Sequence, residues 1–155
     1  MSAFFRSFRY AGRGFALCLG ERNFRFHLAL SAYMFGFLLC YDWFRLTREG
    51  WAALIVSAAM VLVTEAANTG LEALVDLISP GIHPLAAKVK DIAAGMVLLC
   101  AVGALGVGLA LLWQPEAFAA MAAYYMARPW MLGVLAGTLV PAAYFVFHEG
   151  KRKNG

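Results

Sequence analysis

The chain has 155 residues, of which 63% are hydrophobic and only 14% charged, with a formal net charge of +4. A soluble domain carries about a quarter charged residues. Here the apolar residues lie in long uncharged runs, so a soluble fold is excluded and one all-α, multi-pass membrane domain is expected. The basic residues form no dense patch on a polar scaffold, which argues against a nucleic-acid partner.

Residues 1–27 interleave Arg6, Arg9, Arg13, Arg22 and Arg25 with Phe4, Phe5, Phe8, Tyr10, Phe15, Phe24 and Phe26. This mixture predicts an amphipathic helix in the membrane interface, aromatics in the headgroup region and arginines toward phosphates. The plainer alternative is a basic tail. The segment lacks an apolar core followed by a small-residue cleavage site, so the first hydrophobic run is expected to stay as a span. That span covers about 28–44: Leu28 to Tyr41 is uncharged, and Trp43 and Phe44 form an aromatic belt. Asp42, Arg45, Arg48 and Glu49 make a polar turn.

The second span, 51–78, is apolar from Trp51 to Thr64, short for a crossing of about 20 residues. The helical pattern continues through Glu65, Asn68 and Glu72, so the helix is expected to leave the membrane still helical. Ser79-Pro80-Gly81 stops it. His83-Pro84 opens the third span, 84–113, with proline at a tolerated first-turn position. After Gln114-Pro115, the Ala-rich stretch Ala117–Ala127 with Tyr124 and Tyr125 reads as interfacial. A fourth uncharged run, 130–147, carries Pro141, tolerated in a membrane helix, and Lys151, Arg152 and Lys153 form a basic tail. Residues 1–113 thus make a core and 114–155 an addition. Cys18, Cys40 and Cys100 fit neither a zinc site nor a disulfide framework and read as small buried hydrophobes.

With four spans, both termini share a side with the segment from Glu65 to Asp91. Ten of the 13 Lys and Arg lie on that side, against Arg45, Arg48 and Arg128 on the other. The positive-inside rule puts both termini and the acidic segment in the cytoplasm.

Glu65, Asn68, Glu72 and Asp76 follow spacings of three, four and four, which place them on one helix face. Glu72 and Asp76 are like charges four apart and repel, more so near a low-dielectric membrane. A divalent cation or cationic side chains must offset them. An ionisable residue at membrane depth points to function, and Glu65 lies deepest. Partly desolvated, it suits a general base; a structural carboxylate paired with an arginine is the even alternative. Lys90 and Asp91 precede the third span, a cation for phosphate and another carboxylate. Glu21, the acidic residue among the N-terminal arginines, fits a surface ion pair or an oxygen-rich Mg²⁺ site shared with Glu72.

Glu65-x-x-Asn68-Thr69-x-x-Glu72-x-x-x-Asp76, His83-Pro84-Leu85-Ala86 and Lys90-Asp91-x-Ala93-Ala94-Gly95 resemble the signature of the small bacterial membrane lipid kinases, prokaryotic diacylglycerol kinase and undecaprenol kinase. The likeness extends to Ser7-Phe8-Arg9-Tyr10-Ala11-x-Arg13-Gly14 and Glu21-Arg22-Asn23-Phe24-Arg25-x-His27, and covers residues 5 to about 113. It implies a homotrimer of three-span subunits with a surface helix in the bacterial inner membrane. It also implies ATP-dependent phosphorylation of a lipid hydroxyl. On this resemblance, Glu65 takes the hydroxyl proton and Glu21 and Glu72 hold Mg²⁺. Arg6, Tyr10, Glu21, Asn68, Glu72, Asp76, His83, Lys90 and Asp91 surround ATP. The Glu-Arg-Asn-Phe-Arg-x-His wording resembles the undecaprenol branch more than the diacylglycerol branch. Two features depart from the family: the stretch from Gly14 to Glu21 is one residue shorter, and the fourth span goes beyond the three-span core. A competing reading is a non-enzymatic ion-binding or transport protein using the acidic face. Against it, span three carries no polar residue between Ile92 and Trp113 to continue a path.

Overall fold

A computed structural model describes residues 3–148; the expected basic tail at Lys151, Arg152 and Lys153 lies outside the described residues. Six helices follow in order: α1 Ala3–Cys18, α2 Arg22–Cys40, α3 Arg48–Ile78, α4 Pro84–Leu112, α5 Pro115–Ala127 and α6 Trp130–Phe147. Three of them, α3, α4 and α6, are long and apolar enough to cross a membrane. The chain is therefore an all-α protein with an amphipathic N-terminal helix, as its sequence pattern predicts.

The surface helix is shorter than the expected 1–27. Gly20 N–H donates to Leu17 O and Glu21 N–H to Cys18 O, both at 2.9 Å, and these one-residue-tighter bonds end α1. A Cβ at position 20 would sit 3.0 Å from the Leu17 carbonyl oxygen, a tight contact that favours glycine at this turn. The chain re-enters a helix at Arg22, with Glu21 extended at the N-cap. As a result Arg22, Arg25 and His27 occupy the first two turns of α2, which is why α2 falls short of the apolarity of the three long helices although it packs beside α3 and α6.

The 31 residues of α3 rise about 46 Å against a hydrocarbon layer of about 30 Å, so its polar C-terminal part extends beyond the apolar layer. Thr47 caps its start by accepting from Gly50 N–H at 3.2 Å. His83 caps α4, its Nδ1 accepting from Leu85 N–H at 3.2 Å, with Pro84 at the first helical position. These caps bracket an antiparallel α3–α4 hairpin, the most extensive helix pairing in the molecule. Few side chains of the two helices are buried: Leu54, Val61 and Glu65 of α3 and Ala93 and Val97 of α4.

At the opposite end, Gln114 stitches the molecule. Its Oε1 accepts from Arg45 N–H at 3.0 Å and its Nε2 donates to Arg45 O at 3.1 Å, tying the α2–α3 loop to the α4–α5 junction. Tyr41, Trp43, Tyr124 and Tyr125 cluster between the α2–α3 loop and the C-terminal part of α5, Tyr41 and Trp43 stacked with centroids 4.1 Å apart. Such a belt suits a membrane–water boundary. The cysteines correct the expectation of burial: all three are free, none is fully buried, and Cys40 is exposed. The apolar runs that hold Cys40 and Cys100 turn much of their surface outward, as a chain bathed in lipid can.

Candidate active site

One stripe of α3 runs from the buried seam into solvent. Glu65 follows Leu54 and Val61 on the same face and is 4% exposed; Asn68 and Glu72 are half-buried; the Asp76 side chain is 65% exposed. The helix thereby strings acidic groups along a gradient from low to high dielectric.

Each carboxylate of the stripe has a nitrogen partner of its own. His27 Nε2 of α2 stands 3.4 Å from Glu65 Oε1. Asn68 Nδ2 donates to Glu72 Oε1 at 2.9 Å, one turn along the same helix. Lys90 Nζ of α4 pairs with Asp76 Oδ1 across the hairpin. These three contacts supply the positive or donating groups that a like-charged face demands. Of the two readings left open for Glu65, the arginine-paired structural carboxylate is not what the described residues form: its neighbour is a histidine. Thr69 Oγ1 donates to Glu65 O at 3.1 Å and fastens the backbone there. Glu21 and Glu72 lie within electrostatic reach of Glu65, so the turn between α1 and α2 brings its acidic residue to the stripe.

Among the described residues, no three His, Cys, Asp or Glu side chains group closely enough to hold a metal ion by themselves. An oxygen-seeking Mg²⁺ that shares its shell with substrate phosphates needs one or two carboxylates. The donor set fits that lesser demand. Glu21 and Glu72 are hard oxygen donors that each lie within electrostatic reach of Glu65, and the buried Oδ1 of Asn68, whose amide bonds Glu72, has no hydrogen-bond partner among the described residues.

The remaining expected site residues are more dispersed. Arg6 and Tyr10 are exposed on α1, where Arg9 stands 6.0 Å over the Tyr10 ring. His83 serves as the α4 cap, and Asp91 is exposed beside Lys90. A groove of about 810 Å³ runs between α1 and α3, apolar over most of its wall (Phe15, Phe24, Val63, Ala66) with Glu21 and Thr69 as polar members. It flanks the carboxylate stripe by one residue's rotation of α3. The sequence pattern gives His27 no role and places Arg25 among the arginines facing phosphates, an expectation the structure corrects. Arg25 is 8% exposed, its guanidinium 5.9 Å over the Phe145 ring of α6.

Residues 9–112 match the family described as prokaryotic diacylglycerol kinase, about two thirds of the chain. The chain belongs to this family. The membrane lipid kinases it resembles include the undecaprenol kinase of Bacillus subtilis, 37% identical over 117 residues that cover 75% of this chain and 92% of that protein. A diacylglycerol kinase of Synechocystis sp. is 37% identical over 111 residues, covering 70% of this chain and 62% of the relative. No solved structure matches. The matched stretch contains all the expected site residues of this lipid kinase except Arg6, and it ends at the last residue of α4, so α5 and α6 lie beyond it.

Proposed function

We propose that this kinase transfers the γ-phosphoryl group of ATP to the hydroxyl of a membrane lipid at the cytoplasmic face of a bacterial inner membrane. Undecaprenol is the favoured acceptor ahead of diacylglycerol. The observation that carries the reading is the graded α3 stripe, with a buried carboxylate at Glu65 and progressively wetter groups at Asn68, Glu72 and Asp76. Such a helix reaches both reactants: an apolar acceptor that stays in the bilayer and a polar donor that stays in water.

Phosphoryl transfer depends on positioning and charge neutralisation more than on covalent chemistry. Glu65 accepts the proton of the lipid hydroxyl as its oxygen bonds to the γ-phosphorus; the bond from that phosphorus to the bridging oxygen breaks, and ADP leaves with the electron pair. Lys90, released from Asp76, bonds a phosphate oxygen. Glu21 and Glu72 would hold Mg²⁺, which supplies charge neutralisation for the phosphates when bound. Asn68 keeps Glu72 in place. Arg6, Tyr10, Asp76, His83 and Asp91 lie toward the nucleotide. The apolar groove between α1 and α3 suits the chain of the acceptor beside its reacting hydroxyl.

The undecaprenol preference is supported by the Glu21-to-His27 wording and by a match to 92% of the Bacillus undecaprenol kinase. The orientation rests on the excess of Lys and Arg on one side. A homotrimer accords with the unburied apolar surface of α4. The test is direct. Protein purified in detergent, given Mg-ATP and either lipid in mixed micelles, phosphorylates undecaprenol faster, and the Glu65→Gln variant loses at least about 100-fold in kcat. A Glu65→Gln enzyme as active as wild type would remove Glu65 from the chemistry.

A further inference from the structure

We propose that His27 is a positioning residue: its ring N–H holds the Glu65 carboxylate in the orientation from which it takes the lipid's proton. The inference rests on the reading of Glu65 as the base and assigns a function to a residue on a different helix.

A carboxylate buried to 4% exposure requires a donor, because taking it from water without one is costly. Among the described residues, the nitrogen within ion-pair distance of Glu65 is His27 Nε2, at 3.4 Å from Oε1. No described Arg or Lys pairs with it; Lys90, the one Lys or Arg in an ion pair among the described residues, pairs with Asp76. The other charged groups in reach, Glu21 and Glu72, are carboxylates and repel it. Glu65 is therefore surrounded by like charge and tethered at one point.

The direction of that tether follows from the atoms. An ionised carboxylate only accepts, so the facing ring nitrogen carries the hydrogen. One carboxylate oxygen is thereby occupied, and the other is left for a substrate hydroxyl. A glutamate has three side-chain torsions, and an untethered one spreads its oxygens over several rotamers. Fixing it converts a mobile base into one aligned for attack. The separation of 3.4 Å exceeds a full hydrogen bond, the loose geometry common for a base and its partner before substrate closes the site.

The histidine is itself held. Phe24, three residues earlier, is 3% exposed and packs edge-on against Phe15 of α1 with centroids 5.6 Å apart. Arg25 is buried under Phe145. Thus α2 is pinned on both sides of the turn that carries His27, while Thr69 fastens the Glu65 backbone on α3. A histidine that merely fills space would need only its ring; a positioning residue needs the N–H at its tip.

That distinction sets the experiment. Full-length wild type, Glu65→Gln, His27→Leu, His27→Gln and His27→Asn are compared in mixed micelles with Mg-ATP and undecaprenol, measuring kcat and both KM values. The glutamine amide can reach where Nε2 stands; the asparagine amide is too short. The expected result is kcat lower by about 10- to 100-fold in His27→Leu and His27→Asn, KM values within about twofold, and most activity kept by His27→Gln. If Glu65→Gln is inactive but His27→Leu matches wild type, the proposal for His27 fails while the base stands. Equal losses in His27→Gln and His27→Asn also overturn it, and that comparison holds even where His27→Leu does not fold. If Glu65→Gln keeps full activity, the base reading fails and His27's role falls with it.

Discussion

Lys90 and Asp76 illustrate how little an exposed ion pair contributes to a fold and how much its cation can contribute to a site. The Asp76 side chain is 65% exposed and that of Lys90 37%, so their attraction is screened and worth about 0–1 kcal/mol. A phosphate presented to the same ammonium gains a charge-assisted bond worth more, about 1.5–3 kcal/mol. Lys90→Met should consequently leave thermal stability nearly unchanged and raise the KM for Mg-ATP by about 10- to 100-fold. Melting curves and steady-state kinetics on one preparation separate the two effects. A large loss of stability with unchanged KM would make the pair a structural clasp. Glu72 differs from Asp76, since its donor Asn68 is on its own helix and half-buried. Asn68→Leu removes that donor and should raise the Mg²⁺ concentration needed for half-maximal rate, read from a titration at fixed ATP.

At the scale of elements, the turn between α1 and α2 decides where Glu21 stands. Its two tight bonds and the 3.0 Å approach at Gly20 crowd any side chain there against the Leu17 carbonyl. Gly20→Ala should open the turn and displace Glu21, costing more activity than stability; a rate that falls several-fold while the melting point holds is the expected signature. This turn was hidden in the sequence, where basic and aromatic residues recur on both sides of residues 16–21 and suggest one helix. The α3 stripe was legible, because spacings of three and four define a helix face in any fold. Its nitrogen partners were legible only in part. Asn68 lies one turn from Glu72, so local geometry fixes that contact. His27 meets Glu65 only because α2 packs on α3, and Lys90 meets Asp76 only because a hairpin closes at residues 79–83. Contacts across helices follow from packing, which periodicity does not encode. The outward-facing cysteines have the same origin: apolar runs signal insolubility in water without saying whether protein or lipid covers them.

The whole molecule divides into a matched part that carries the acidic stripe and an unmatched α5–α6 addition that braces it. All of Glu21, Glu65, Asn68, Glu72, Asp76 and Lys90 lie within residues 9–112. The addition touches this part along α2, where α6 packs, and through α5, whose tyrosines pack on Tyr41 and Trp43 and whose Phe118 packs on Phe44 and Trp113. The Gln114 side chain bonds Arg45 directly, although the Gln114 carbonyl also opens α5 by accepting from Ala117 N–H and Phe118 N–H. A chain ending at Gln114 therefore keeps the stripe, its donors and the stitch between loops, and loses the cover over α2, including Phe145 above Arg25. The cation–π contact and buried Val146 are worth about 1–3 kcal/mol together. Such a truncated chain should phosphorylate the same lipid at a comparable kcat and melt several degrees lower in detergent. Phe145→Ala in the full chain should reproduce part of that loss. If the truncated chain stays folded yet loses activity, α6 contributes to placing Arg25 and His27 on α2, and the boundary of the working kinase moves from the end of α4 to the end of α6.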